Sequence, residues 1–185
     1  DDTLENLSLL RGRVNRLHDL VEGLLAYSRV GRAHHETEPV DTRAMIAEIV
    51  DSLDLPAFFA VDCVGDMPVL ETRAVPLRRV LQNLISNGIR HHDRVEGRIR
   101  ISAKKANHSW EFRVADDGPG IAPQFHSRIF EIFQTLQTRD DLDSSGVGLA
   151  IVKKTVEDHG GHVWVESKPP ERGSCFGFRW NELAT

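Results

Sequence analysis

Three short stretches of this chain hold the residue types from which a site for a polyanion can be built. The first is Asp116-Asp117-Gly118-Pro119-Gly120-Ile121. An acid ends an alternating, strand-like run, and two glycines then flank a proline. Glycine permits positive φ and a close approach of backbone to ligand. A carboxylate at that point can accept a hydrogen bond from an exocyclic amino group such as that of adenine. Asp-Gly-Pro-Gly also makes ordinary turns, so alone the stretch is ambiguous. The second is Ser144-Ser145-Gly146-Val147-Gly148-Leu149, which opens a helical pattern. Free N–H groups at a helix start suit phosphate oxygens, although such a start can also serve packing alone. The third is Asn83-Leu84-Ile85-Ser86-Asn87. Asparagines four apart share one helix face, and the apolar residues between them mark the helix as buried. Amides on a packed helix are costly unless bonded. An amide oxygen is a hard ligand suited to magnesium, which keeps several waters and shares substrate phosphates; an amide there can also cap a neighbouring backbone group. Arg90 and His91, one turn on, add donors near the same end.

The surrounding pattern supplies elements to hold these residues. Apolar periodicity predicts a helix over 3–29, with Thr3, Leu7, Leu10, Val14, Leu17, Val21, Leu24 and Ser28 alternating four and three apart as a heptad seam. Leu9, Leu20 and Leu25 widen the stripe towards a helical bundle. A polar stretch over 31–40 reads as a linker. Asp41 or Thr42 can cap a second helix, which Pro56 ends. Short strands are expected over 58–63 and 69–72, and a helix from about Val75 to His91 with Pro76 in its first turn. A hairpin is expected over 98–104 and 109–116, a loop region with short helical pieces over 117–145, a helix over 147–158 ended by Gly160-Gly161, and final strands over 162–167 and 174–180. Mixed helices and antiparallel hairpins point to an α+β two-layer sandwich, over about 41–181, behind one long helix that needs partners.

Composition narrows the function classes. The chain has 185 residues, 40% hydrophobic and 28% charged, with a formal net charge of −5. That suits one globular domain plus an extension. It lacks the basic stripe of a duplex-binding protein, so a protein partner or a small anionic ligand is expected rather than nucleic acid. No apolar run has membrane-spanning length, so no membrane contact by this stretch is expected. The absence of an initial methionine suggests a piece of a longer protein, with any sensor or membrane segment upstream. Two cysteines, Cys63 and Cys175, are too few for a disulfide framework and fit free thiols in a reducing, cytoplasmic compartment.

Taken in order, an asparagine pair on a helix, a strand ending in Asp-x-Gly-x-Gly and a Gly-x-Gly helix start resemble the sensor histidine kinases of two-component systems. Asn83–His91 resembles that family's asparagine box, Asp116–Ile121 its first glycine box, Ile129–Phe133 its phenylalanine box and Ser145–Ile151 its second glycine box. Gly173-Ser174-Cys175-Phe176 looks like its closing Gly-x-x-Phe strand. Residues 1–30 look like the second helix of the dimerisation and phosphotransfer hairpin. The resemblance implies a Bergerat-type ATP-binding fold with ATP and Mg2+ as ligands, Asn87 on the metal and Asn83 beside it. It implies Asp116 on the adenine amino group, and Gly118, Gly120, Ile121, Ser145, Gly146, Val147, Gly148 and Leu149 shaping the pocket and lid. Arg90 and His91 would touch phosphates, Phe130 and Phe133 would anchor the lid, and Arg139 is a candidate for the γ-phosphate. Implied partners are a response-regulator receiver domain and a second copy, through the N-terminal helix.

One position separates transfer from hydrolysis. ATPases of the same fold place a glutamate, the base that activates water, one turn before the metal-binding asparagine. Here that position is Asn83, and an amide cannot take a proton at neutral pH. Phosphoryl transfer depends mainly on positioning and charge neutralisation, and a histidine nitrogen is already nucleophilic. A kinase is therefore favoured, with an ATPase and a nucleotide-sensing scaffold as alternatives. His18-Asp19 looks like an acceptor pair, but Gly23 stands where the family has proline, so the acceptor is expected upstream of Asp1. Gly88, where alanine is usual, and Ser144, where the second glycine box often begins with glycine, depart from the pattern. A mid-helix glycine costs up to about 1 kcal/mol relative to alanine.

Overall fold

The computed structural model describes Leu7, Leu10, Val14, Leu17, His18, residues 20–25, Tyr27, Ser28 and the stretches 36–134 and 146–182. Its strands are β1 (Glu38–Asp41), β2 (Phe59–Cys63), β3 (Val69–Thr72), β4 (Gly97–Ala106), β5 (Ser109–Asp116), β6 (Val163–Glu166) and β7 (Ser174–Asn181). Its α-helices after residue 36 are α1 (Thr42–Ser52), α2 (Ala74–Arg90) and α3 (Gly148–Asp158), with short 3-10 turns at Pro123–Phe125 and Arg128–Phe130. A five-stranded sheet runs β2-β4-β5-β7-β6, and β1 pairs with β3 in a small separate sheet. All neighbours in the large sheet are antiparallel except β2 and β4. The expected α+β sandwich is present, with the helices and strands of the described residues after 41 in their expected places.

One element was not legible. The register Glu38↔Thr72 to Asp41↔Val69 makes the end of the expected linker a strand. Only long-range pairing with β3 defines it, because four residues with a single buried side chain, Val40, carry too little alternation to show.

The alternation in β5 and β7 sends Phe112, Val114, Phe176, Phe178 and Trp180 to one sheet face, all no more than 2% exposed. Phe112 and Phe178 face one another across the strands with ring centroids 5.0 Å apart, a cross-strand pair of the kind that pins register. The i, i+3, i+4 set of α2, Leu77, Val80, Leu81, Leu84 and Ile85, is buried against this face. Asp41 caps α1 by accepting from the Arg43 and Ala44 N–H groups at 2.9 and 3.1 Å. The indole of Trp180 donates to Thr72 Oγ1 at 2.8 Å, which satisfies two buried polar groups and ties the large sheet to the small one.

The described residues between Leu7 and Ser28 are helical, and Leu7, Leu10, Val14, Leu17, Val21 and Leu24 of the heptad seam are all about half exposed or more. Two of its described residues, Gly23 and Tyr27, meet the rest of the chain. A Cβ on Gly23 would lie 3.1 Å from Val147 Cβ, so the glycine allows close approach to the foot of α3. Lys154 Nζ donates to the Tyr27 carbonyl at 2.8 Å and sits 4.1 Å from the centre of the Tyr27 ring. No described helix is long and apolar enough to cross a membrane.

Candidate functional site

The C-terminal end of β5 delivers Asp116 beside the buried face of α2. Its Oδ1 accepts from the Gly118 N–H at 2.9 Å and the Ser174 N–H at 3.3 Å. Both bonds use one oxygen, so Oδ2 retains its accepting capacity. Burial raises the Asp116 pKa above its ordinary value, and the Gly118 and Ser174 N–H groups only partly offset it. A Cβ on Gly118 would lie 2.8 Å from Asp116 Oδ1. Glycine is needed there for this turn to close on the carboxylate.

A second layer holds the turn. Ser167, 7% exposed, accepts from the Ile121 N–H at 2.9 Å and donates to the Gly173 carbonyl at 2.8 Å. Gly173 N–H donates to the Gly118 carbonyl at 2.9 Å. Gly120 has φ +83°, and a Cβ there would lie 3.0 Å from Ser167 Oγ. His126 Nε2 bonds the Ile121 carbonyl at 2.9 Å. The turn between β6 and β7 therefore supports the acidic glycine turn through backbone and hydroxyl groups. No sequence spacing signals these contacts.

On α2, Asn83 and Asn87 are half-buried on the side that meets α3. Asn83 Nδ2 donates to the Arg79 carbonyl at 2.8 Å. Its Oδ1 lies 2.9 Å from where a Cβ on Gly148 would sit. The asparagine helix and the second glycine stretch are thus in contact. Gly88 is buried against β4 and β5: a Cβ would lie 2.8 Å from Ile99 Cδ1 and 3.6 Å from Asp116 Cβ. The departure from alanine is matched by Ile99, which fills that volume.

The expected residues are not all equivalent in place. Phe130 is buried and meets Phe176 edge-on at 6.3 Å. Phe133 is 56% exposed, and it is its backbone that matters: at φ +65° its N–H donates to the Gly146 carbonyl at 2.9 Å. Gly146 has φ +66°, and a Cβ would fall 2.9 Å from the Phe133 carbonyl carbon. Val147 is buried and Leu149 half-buried, while Arg90 is exposed in the last turn of α2. His91 ends that helix, its N–H bonded to the Asn87 carbonyl at 3.1 Å. Arg139, Ser144 and Ser145 lie outside the described residues.

His92, which the motif reading passed over, is built into the site. Its side chain is 2% exposed, with Nε2 3.0 Å from Asp117 Oδ1 and the ring edge-on to Phe59 at 5.2 Å. Arg98 N–H also donates to Asp117 Oδ1, at 2.7 Å. Burial works to raise the Asp117 pKa, but the Arg98 N–H and the His92 ring outweigh it, and the net shift is downward. Asp117 is thus an anion committed to the His92 ring and the Arg98 N–H.

Residues 72–183 match the family model of the histidine kinase-, DNA gyrase B- and HSP90-like ATPases. The chain belongs to this family. Among curated relatives of this ATPase-family chain, the phytochrome-like protein Cph1 of Synechocystis is 37% identical over 167 residues, covering 89% of this chain and 22% of Cph1. The signal transduction histidine-protein kinase AfsQ2 of Streptomyces coelicolor is 32% identical, covering 92% of this chain and 32% of AfsQ2. The chain thus spans less than a third of either relative. The solved structure of full-length ShkA in complex with AMPPNP superimposes with TM-score 0.75 at 27% identity, covering 100% of this chain and 40% of ShkA. The fold, the motif order and the family agree.

The contact between Gly148 and Asn83 is directly testable. In Gly148→Ala, the better helix propensity gains up to about 1 kcal/mol, but overpacking against an amide already tied to Arg79 costs about 1–3 kcal/mol. A net loss on the order of 1 kcal/mol in urea unfolding is expected, with nucleotide affinity lowered as well.

Proposed function

We propose that this chain binds ATP with Mg2+ and is the catalytic region of a protein-histidine kinase. It passes the γ-phosphoryl group to a histidine on an upstream helix, for onward transfer to an aspartate of a response-regulator receiver domain. The observation that carries this reading is Asn83. It stands one turn before Asn87, its Nδ2 committed to Arg79 and its Oδ1 against the start of α3. No proton acceptor is available there to activate water. The naming of AfsQ2 as a histidine-protein kinase and the AMPPNP complex of ShkA, an ATP analogue being the ligand, support the same reading.

The donor set fits the nucleotide. Asp116 Oδ2 is left to accept from the adenine amino group, and Gly118 and Gly120 let the turn close tightly around that carboxylate and Ser167. Asn87 offers an amide oxygen to Mg2+, which neutralises charge on the phosphates when bound. Gly146–Gly148 presents N–H groups at the start of α3, and Arg90 and His91 stand at the C-terminal end of α2, just beyond Asn87. In the transfer the γ P–O bond breaks, a P–N bond forms to the acceptor imidazole, and ADP leaves. The residues of this chain position and neutralise; the nucleophile comes from elsewhere. The exposed heptad seam suits pairing with a second copy in a helical bundle. His18 is exposed on the same helix.

Incubation with γ-labelled ATP and Mg2+ tests the assignment. This chain alone should take up no stable label, and a form extended upstream should take up acid-labile label. Label on the short form that is lost in His18→Gln would move the acceptor to His18. Steady phosphate release without protein labelling would replace the kinase reading with the ATPase one. Nucleotide binding without either would leave the sensing scaffold.

A further inference from the structure

Arg172 lies in the turn between β6 and β7, at no position the nucleotide motifs cover, yet it joins three separate segments. Its guanidinium makes a two-pronged pair with Asp93, Nη2 to Oδ1 at 2.6 Å and Nη1 to Oδ2 at 3.1 Å. Its remaining Nε donates to the Asp117 carbonyl at 3.2 Å. Asp93 belongs to the loop that leaves α2, two residues after the helix-ending His91. Asp117 is the residue between the proposed adenine acceptor and Gly118. The next residue, Gly173, bonds the Gly118 carbonyl, and Ser174 bonds Asp116 Oδ1. One guanidinium thus fastens the end of the asparagine helix to the back of the acidic glycine turn.

Building on the ATP-binding reading, we propose that Arg172 is a positioning residue for nucleotide recognition, which, oriented by Asp93, holds the Asp117–Gly118 backbone so that Asp116 faces the adenine. The fork of an arginine suits this task. Two donors meet the carboxylate in plane, and the third is left for the carbonyl. A lysine ammonium has no planar fork and cannot reproduce that geometry. The pair is partly exposed, with side-chain exposures of 34% and 44%, so its worth lies in orientation more than in global stability. Arg172 also holds the Asp93 carboxyl down to about 2, so Asp93 is ionised throughout the neutral range.

The test is titration of ATP and of ADP, by calorimetry with Mg2+, against wild type, Arg172→Ala, Arg172→Lys, Asp93→Asn, the double substitution Asp93→Asn with Arg172→Ala, and the exchanged pair Asp93→Arg with Arg172→Asp. Arg172→Ala should raise both dissociation constants by the same factor, about 3- to 10-fold, because the wall it supports touches the base and not the γ-phosphate. Arg172→Lys should recover little of this. Asp93→Asn should weaken binding in the same direction, and the double substitution Asp93→Asn with Arg172→Ala should be no worse than Arg172→Ala alone. The exchanged pair serves as a charge control and should stay weak, since an aspartate cannot donate to the Asp117 carbonyl. The melting temperature of the unliganded protein should move little across the set. Unchanged ATP and ADP affinity in Arg172→Ala, or a loss confined to ATP, would overturn the proposal. So would a loss of affinity that simply follows a fallen melting temperature, with Lys as good as Arg. If wild type itself binds neither nucleotide, the ATP-binding reading fails instead. Asp116→Asn separates the cases, because it should weaken a wild-type signal whether or not Arg172 matters.

Discussion

Asp116→Asn should weaken ATP binding about 10- to 100-fold, the worth of a hydrogen bond to a charged acceptor at about 1.5–3 kcal/mol. The substitution is nearly isosteric. The amide oxygen can keep the Gly118 and Ser174 N–H bonds that Oδ1 now accepts at 2.9 and 3.3 Å. The amide nitrogen then occupies the place of Oδ2 and turns a donor towards the adenine amino donor. Folding stability should move the other way or not at all. Burial raises the Asp116 pKa, so the folded protein holds this carboxylate at a cost, and a neutral amide removes that cost. Calorimetric affinity that falls while the urea midpoint holds or rises is the expected signature. A parallel fall of both would show that Asp116 serves folding and not the ligand.

The same group sets a pH dependence with a defined sign. The unfolded carboxyl ionises near its ordinary 3.8, and the folded one at a higher pH. Between those values the unfolded state is the more ionised, so this residue lowers stability as pH rises through the window; above it the penalty is constant. Nucleotide binding runs opposite. Only the ionised carboxylate keeps Oδ2 free of a proton to accept from the amino group while Oδ1 accepts from Gly118 and Ser174, so affinity should fall as pH is lowered through the raised pKa. Asp116→Asn should remove both dependences.

What the sequence disclosed and what it hid divide along a physical line. Features carried by local periodicity were legible. Asn83 and Asn87 fall on one helix face at any tertiary structure, and the alternation of Ile99 to Ala103 against Phe112 to Asp116 shows a hairpin before its partner β7 is known. Features carried by long-range contact were not. Arg172 meets Asp93 79 residues away, and Ser167 meets Ile121 46 residues away. Neither pair has a spacing to detect. The histidines illustrate the limit most sharply. His91 and His92 follow directly on Arg90, the last residue of the helix, where helical periodicity no longer fixes side-chain directions. The sequence cannot say which ring turns inward; Phe59 and Asp117, from other strands and turns, receive His92. Gly88 was legible only as a cost, because Ile99, whose δ-methyl fills the missing Cβ, lies across the fold.

Gly173→Ala should be the most damaging small change near the site. Gly173 has φ +99°, where a side chain is strained, at about 1–3 kcal/mol. A Cβ would also fall 2.5 Å from the Asp116 carbonyl oxygen, a backbone atom with no rotamer to yield. Overpacking of that kind costs about a further 1–3 kcal/mol. Gly173 is held from both sides, its N–H by the Gly118 carbonyl at 2.9 Å and its carbonyl by Ser167 Oγ at 2.8 Å, so it cannot back away without releasing the turn that carries Asp116. Stability should fall by roughly 2–5 kcal/mol in urea unfolding, and the ATP affinity of the folded fraction should fall further than in Arg172→Ala. Gly65→Ala is the matched control. Its φ is +76°, but no atom lies within 4 Å of the added Cβ. It should show the backbone strain alone, with ATP affinity intact. Equal losses of stability in the two variants would mean that the Asp116 backbone yields to the methyl group. Unequal losses, with binding lost only at Gly173, would show that the turn between β6 and β7 is the support on which the adenine acceptor rests.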